Sequence, residues 1–271
     1  MWYYIDKISM ERYFLNMENV KSNKGKLKSI DKVLDLLEFL SVNEQDAGVT
    51  EINKKLHMGL STIHRMLTTL KSRGYVIQNL DTRKYRLGIK LFELGCVVQS
   101  TKGLVGITKH YLKQLSQSTN ETVNLALLEG KEVVYLDTIK SQEVLRTEII
   151  AGTRTPAHCT ALGKALLAFI SDWEFKSLYK SDESVSTLTS KSISSLEELK
   201  KSLKKVKKQG YAVDMEEYKI GINCIGVPIF SKNGVIAAIS ITGPASRFTI
   251  DEMEKVKGKL LTISKEISNQ F

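Results

Sequence analysis

Apolar residues between Ser29 and Ser41 recur as Ile30, Val33, Leu34, Leu37 and Leu40, a 3.6-residue stripe that predicts a helix with Ser29 as its cap. Thr50 offers a second cap, followed by Glu51 and by Ile52 and Leu56 on one side, which predicts a helix of barely two turns. His57, Met58 and Gly59 supply a turn, with Gly59 as the residue free to take positive φ. Ser61 then caps a third helix whose Ile63, Met66, Leu67 and Leu70 fall on one side and which stops at Gly74. The period next shortens to two. Tyr75 to Gln78 reads as a strand, Asn79 to Lys84 as a turn, and Tyr85 to Leu87 as a returning strand with Tyr85 and Leu87 inward and Arg86 outward.

From Ile89 to Ser100, Leu91, Phe92, Leu94, Val97 and Val98 put apolar surface on too many sides for an exposed linker, so something must cover it. Beyond a helical stretch around Ile107 to Ser118, β-rich runs at Thr122 to Leu128 and Val133 to Ile139 flank Glu129-Gly-Lys131, a hairpin. Val144 to Ile150 suggests a further strand. Ala161 to Ile170 reads as a helix opened by Thr160, and a Ser/Thr-rich surface segment follows. Leu196, Leu199, Leu203 and Val206 mark a helix that turns its lysines to solvent. Strands at Tyr211 to Asp214, Ile222 to Phe230 and Val235 to Thr242 and a helix from Asp251 complete an α+β pattern with an antiparallel sheet.

The length of 271 residues allows two domains, and 42% hydrophobic with 26% charged residues excludes a disordered or fibrous chain. No apolar run approaches the roughly 18 residues of a spanning helix, so no membrane partner is expected. Cys96, Cys159 and Cys224 are odd in number and far apart, which fits a reducing cytoplasm better than a disulfide framework. The net charge of +10 is concentrated: from Thr50 to Lys90 nine Lys and Arg face only Glu51 and Asp81. Lys21, Lys24, Lys26 and Lys28 lie just upstream in a polar arm. The lysines between 200 and 208 read instead as solvated helix surface.

The third predicted helix carries Ser61, Arg65, Thr68, Thr69 and Ser72 opposite its apolar side, flanked by Thr62, His64, Lys71 and Arg73, with no acid among them. Short hydroxyls permit close approach to a sugar-phosphate backbone, and a guanidinium can make paired hydrogen bonds to a guanine edge in the major groove. A helix, a short helix, a tight turn and a basic polar helix constitute a helix-turn-helix, and the following hairpin with Arg83 and Lys84 at its tip is the wing. The plainer alternative is a small helical bundle with a basic surface.

Three blocks, Ser29-Ile-Asp-Lys-Val-Leu-Asp-Leu-Leu-Glu-Phe-Leu40, Gly59-Leu-Ser-Thr-Ile-His-Arg-Met-Leu-Thr-Thr-Leu-Lys-Ser-Arg-Gly-Tyr75 and Tyr85-Arg-Leu-Gly-Ile-Lys-Leu-Phe-Glu-Leu-Gly95, resemble the DNA-binding half of IclR-type transcription regulators in order and spacing. The second half resembles the same family through Glu121-Thr-Val-Asn-Leu-Ala, Gly152-Thr-Arg-Thr-Pro-Ala-His-Cys-Thr-Ala-Leu-Gly-Lys-Ala-Leu-Leu167, Gly210-Tyr-Ala-Val-Asp-Met-Glu-Glu217 and Ala237-Ala-Ile-Ser-Ile-Thr-Gly-Pro244. The resemblance implies a winged helix-turn-helix over residues 27–88, a connector helix over 89–106 and a GAF-like effector domain over 107–271. Residues 1–26, with Trp2, Tyr3, Tyr4, Tyr13 and Phe14, lie outside it and stand as an arm, a partner-binding helix, or translation assigned upstream of Met17. It further implies a homodimer packed through the connector, or a pair of such dimers, on pseudo-palindromic operator DNA.

The resemblance also places an effector between the sheet and the loop before the Gly-Lys-Ala helix, lined by Thr155, Ala161, Leu162, Asp214, Ile222, Cys224, Ser240 and Thr242. Strand alternation supports this independently, since Ser240 and Thr242 share one face and Ile239 and Ile241 the other. Small polar groups there, with backbone amides at the helix start, suit a small organic acid. Asp214 is the odd member, because it repels an anion; it can accept from an effector hydroxyl or sit at the rim. His158 is read as a ligand donor or as loop surface. No nucleophile elbow, phosphate loop or dinucleotide fingerprint is present, and His57, His64, His110 and His158 lack metal spacing, so neither catalysis, a cofactor nor a metal is expected. The expected function is a ligand-responsive regulator, repression preferred to activation. In it Ser61, Thr62, Arg65 and Thr68 face bases while Thr50, Lys71, Arg73, Arg83, Lys84 and Arg86 hold phosphates, with His64 a further DNA-binding residue on the flank of the helix. A non-specific nucleic-acid binder with a structural second domain is the alternative.

Overall fold

Ile52, Ile63, Leu67 and Leu36 are each removed from solvent into one small core, and that core decides how the first helices stack. The computed structural model describes residues 27–271 apart from 44, 102 and 182–184, and the chain divides into two units, the first ending at Thr101 and the second beginning at Lys102. The expectations for residues 1–26 lie outside the described residues. In the first unit, α1 (Lys28–Val42), α2 (Val49–Leu56) and α3 (Leu60–Ser72) precede a hairpin of β1 (Val76–Gln78) and β2 (Tyr85–Leu87). Ala47 bridges the free side of β2 through two backbone hydrogen bonds of 2.8 Å with Tyr85, which fastens the wing to the segment between α1 and α2. Finally α4 (Ile89–Thr101) leaves the hairpin.

The three expected side-chain caps are not used. Each helix starts earlier, on Leu27, Gly48 and Gly59, so Ser29, Thr50 and Ser61 are the second helical residues. The physical reason is that an upstream carbonyl already begins each ladder, as when Gly59 O accepts from Thr62 N (2.9 Å) and Ile63 N (3.1 Å). The positive φ of the turn also falls elsewhere. His57 takes it (52°) because it follows the last residue of α2, where the left-handed conformation closes a helix, while Gly59 has an ordinary φ of −59°. Asn53 Nδ2 donates to Met58 O at 2.6 Å and holds this turn. Gly74 (φ 78°) does end α3, with Tyr75 N donating to Leu70 O and Gly74 N to Lys71 O.

The second unit begins with α5 (Leu104–Thr119), three residues before the expected start, after Gly103 at positive φ. The connector expected over 89–106 is thus helical as α4 only to Thr101. Next come β3 (Thr122–Glu129), β4 (Glu132–Ile139), β5 (Arg154–Pro156), α6 (Ala161–Leu167), α7 (Asp172–Leu178), α8 (Leu196–Gln209), β6 (Ala212–Met215), β7 (Ile222–Ser231), β8 (Gly234–Pro244) and α9 (Ile250–Ser268). Among the described residues the strands form one antiparallel six-stranded sheet in the order β5-β4-β3-β8-β7-β6. Residues 144–150 form no strand: the edge of β4 is occupied by Arg154–Pro156, and Val144, Leu145 and Ile150 are left exposed. In the expected surface segment, Ser171 Oγ accepts from Glu174 N at 3.1 Å and opens α7, a short helix that the scatter of Ser and Thr disguises.

Alternation gives the sheet two different faces. Val123, Leu125, Ile239 and Ile241 pack with Leu112 and Leu115 of α5 and Leu260 and Ile263 of α9. The other face meets α6, whose seven residues are all buried. A Cβ at Gly163 of that helix would lie 2.1 Å from Ala157 O, an approach only hydrogen allows. Gly163→Ala is therefore expected to destabilise this unit by about 3 kcal/mol or more, at the upper end of overpacking effects. Urea unfolding followed by circular dichroism checks this; a loss under about 1 kcal/mol would contradict it.

Candidate nucleic-acid interface and ligand pocket

The inner edge of α3 buries Ile63, Leu67 and Leu70, which turns Ser61, His64, Arg65, Thr68, Thr69 and Ser72 outward, with Thr62 half-buried at the margin. Two of the hydroxyls are turned back on the helix, Thr69 Oγ1 donating to Arg65 O (3.0 Å) and Ser72 Oγ to Thr69 O (2.8 Å). Lys71 Nζ donates to Gln78 Oε1 at 3.0 Å, and Gln78 Nε2 donates to Arg83 O at 3.2 Å, so helix and wing are tied through one glutamine. At the hairpin tip Asn79 Oδ1 accepts from Asp81 N (2.9 Å) and Thr82 N (3.1 Å), and Arg83 takes a positive φ of 59°. Thr50, Arg73, Arg83, Lys84 and Arg86 are exposed on this unit. A cationic helix face beside a cationic hairpin has the chemistry to meet base edges and phosphates respectively.

The polar face of the second unit's sheet collects most of the predicted ligand residues. Register pairs Asp214 with Cys224, Cys224 with Thr242, Ser240 with Gly226 and with Asn124, and Ile222 with Pro244. Thr155 stands on the edge strand β5 opposite Val133, on the same face. Ala161 and Leu162 open α6 directly above: a Cβ at Gly226 would lie 3.0 Å from Ala161 O and 3.2 Å from Leu162 N. Fewer amides are free there than expected, because Thr160 Oγ1 accepts from Gly163 N at 3.1 Å. Asp214 is 1% exposed and so is not at a rim. Its Oδ1 accepts from Glu217 N (2.7 Å) and Tyr218 N (3.4 Å). His158 is neither loop surface nor free, being buried with Nε2 at 2.8 Å from Ser186 O.

Sequence reasoning missed the hub of this face. Asn124 Nδ2 donates to Thr242 Oγ1 (3.1 Å) and Ser240 Oγ (3.3 Å), while its Oδ1 accepts from Thr138 Oγ1 (3.1 Å). The alternation of Thr122, Asn124 and Ala126 along β3 held the signal, since it repeats the pattern of Ser240 and Thr242 on the neighbouring strand. Lys164 was also missed. It is 3% exposed and ion-pairs with Glu217, whose partner only the fold could supply. Thr155 Oγ1 and Glu217 Oε2 are buried polar atoms without a hydrogen-bond partner. A cleft of about 300 Å³ lies elsewhere, among Leu166, Phe169, Glu174, Val235 and Ile236, and contains none of the predicted ligand residues.

Burial, reinforced by the neighbouring Glu217 carboxylate and opposed by Lys164, raises the Asp214 carboxyl to about 7. Burial likewise raises Glu217. The thiols of Cys159 and Cys224 are pushed up by burial and by Asp214, and so remain protonated rather than nucleophilic. Among the described residues no group of three or more His, Cys, Asp or Glu is placed to hold a metal, and no helix is long and apolar enough to cross a membrane.

Two family profiles match the chain, the IclR helix-turn-helix domain over residues 29–80 and the bacterial transcriptional regulator IclR C-terminal domain over residues 96–269. The chain is 38% identical over 246 residues to the HTH-type transcriptional regulator KdgR of Dickeya chrysanthemi, covering 90% of this chain and 80% of that one. The crystal structure of the Thermotoga maritima IclR superposes with a TM-score of 0.75 at 33% identity, over 90% of this chain and 99% of that one. An IclR homologue from Microbacterium hydrocarbonoxydans, complexed with 4-hydroxybenzoate, shares the fold with a TM-score of 0.78 at 22% identity, over 90% of this chain and all 100% of that one.

In the unfolded chain an aspartate titrates near about 4, so between that pH and about 7 the folded state holds a proton that the unfolded state has lost. Stability then falls as pH rises through this window. Relative to Asp214→Asn, the native chain is expected to lose on the order of a few kcal/mol between the two limits. Urea unfolding of both chains across that range measures it, and parallel pH profiles would count against the buried proton.

Proposed function

Because this chain belongs to the IclR family of bacterial transcriptional regulators, we propose that it reads operator DNA with α3, grips phosphates with its wing, and answers to a small organic acid held in its second domain. The observation that carries this is the outward face of α3, exposed, free of acids and coupled to the wing through Lys71, Gln78 and Arg83. Ser61, Thr62, Arg65 and Thr68 meet base edges, with His64 beside them on the flank; Thr50, Arg73, Arg83, Lys84 and Arg86 meet phosphates, with Lys71 shared between phosphate and wing. The work is done in the cytoplasm, where the DNA is.

Exposed apolar side chains support a homodimer. Leu27, Ile30 and Leu34 line one side of α1, and Ile89, Phe92 and Val97 stand out from α4. A second copy that covers them sets two recognition helices on a pseudo-palindromic site, and two such dimers make a tetramer. In the second domain Thr155, Ala161, Leu162, Asp214, Ile222, Cys224, Ser240 and Thr242 surround the effector. The 4-hydroxybenzoate of the Microbacterium relative supports an organic acid as its class. A coupling of only about 1 to 3 kcal/mol between effector and operator suffices for control. Relatives named as repressors favour repression.

The competing assignment, a non-specific nucleic-acid binder, is tested by salt titration: operator must outbind random duplex at every salt concentration. Arg65→Ala is expected to cost about 1 to 3 kcal/mol on the cognate site and to relax selectivity there, while Arg83→Ala weakens all sequences alike. Fluorescence anisotropy on matched and mismatched duplexes reads both; unchanged selectivity in the first variant removes Arg65 from base recognition. Thermal-shift screening of organic acids, with operator release as the second readout, identifies the effector.

A further inference from the structure

Residues 102–271 hold 24 Lys and Arg against 19 Asp and Glu, an excess of +5, and six of those lysines, 200, 201, 204, 205, 207 and 208, lie on α8. With Glu197 and Glu198 counted, α8 alone carries +4 of that +5, so most of the excess sits on one helix. Leu199, Leu203 and Val206 are buried beneath it, and all six lysines are exposed.

A helix that is merely solvated looks different in the same domain. On α9, Lys255 pairs with Glu252 and Lys257 with Glu254. On α8 the acids are confined to the first turn, where Glu198 accepts from Ser194 N (2.9 Å) and Ser194 Oγ (3.0 Å). Among the described residues none of the six lysines makes an ion pair. Instead Lys200 and Lys204, Lys201 and Lys205, and Lys204 and Lys208 are like charges one helical turn apart, and each such pair repels. An outside polyanion relieves this repulsion.

The chemistry of the face selects the polyanion. It exposes no aromatic ring on which unpaired bases could stack, and no large apolar side chain to enter a lipid surface. Lysines alone suit duplex phosphates, held as point charges without reading sequence. We propose that the outward face of α8 is a second contact surface for duplex DNA, sequence-independent and separate from the winged helix.

The test uses the full chain, a random-sequence duplex of about 60 base pairs, and potassium chloride from about 50 to 200 mM, with anisotropy as readout. Substituting Lys200, Lys204, Lys205 and Lys208 by Gln is expected to lower the slope of log affinity against log salt by about 3 to 4, at roughly 0.9 per lost phosphate contact, and to weaken binding at least about tenfold. The same four positions as Arg should keep the native slope. A control with Lys232, Lys255, Lys259 and Lys265 changed to Gln carries the same net charge and should leave the slope within about one of the native value. If the fourfold Gln variant unfolds, Lys204→Gln with Lys208→Gln gives the same result at half the amplitude. A native slope in the α8 Gln variants, or an equal fall in the control, overturns the proposal. So does an unchanged DNA slope accompanied by lost binding to vesicles of about 30% phosphatidylserine, which would assign the face to a membrane.

Discussion

The start of α6 rests on the sheet with no side chain between them. A Cβ at Gly226 beneath would come within 3.0 Å of the Ala161 backbone, and Gly163 within the helix leaves room for hydrogen alone against Ala157. That approach roofs the sheet's polar face, and everything attributed to the second domain depends on it. Ser240, Thr242, Cys224 and Asp214 would be an ordinary wet surface if the helix stood a few ångströms higher. Brought under it, they become a desolvated polar lining, and Asn124 ties their hydroxyls together.

Burial also explains the unusual electrostatics there. Asp214 and Glu217 share one ammonium, Lys164, in a region closed to water. Desolvation first, and then the neighbouring Glu217 carboxylate, raise the Asp214 carboxyl to about 7, against the pull of Lys164. Raised to about 7, Asp214 carries less charge near neutrality than an ordinary aspartate and so repels an acidic effector less. The exposed charges obey the opposite logic. On α3, the wing and α8 the cations lie in water, where they cost little to hold and act by attracting phosphate from a distance.

The DNA-binding unit is organised around a simpler constraint. Ile52, Ile63 and Leu67 fill one core, and the spacing that buries them on α3 necessarily presents Arg65 and Thr68 outward. The wing is held from two sides, by Ala47 pairing with Tyr85 and by Gln78 bridging Lys71 to Arg83, which sets its cations beside the helix they accompany.

Periodicity alone determined most of the element types, though not α7 or residues 144–150, and the two faces of α3 and of β8, because side-chain direction follows chain geometry with periods of 3.6 and 2. It also marked Gly74 as a helix stop and Thr160 as a cap. Local signals failed where a competing backbone partner decided the outcome. Ser29, Thr50 and Ser61 lost their capping roles to upstream carbonyls, His57 took the left-handed turn ahead of Gly59, and residues 144–150 lost the edge of β4 to Arg154–Pro156. Only the tertiary structure decided that Lys164 meets Glu217 across 53 positions and that Asn124 meets Thr242 across 118. No local pattern encodes such pairs, since they exist only after the sheet has chosen its register and the helix has closed over it.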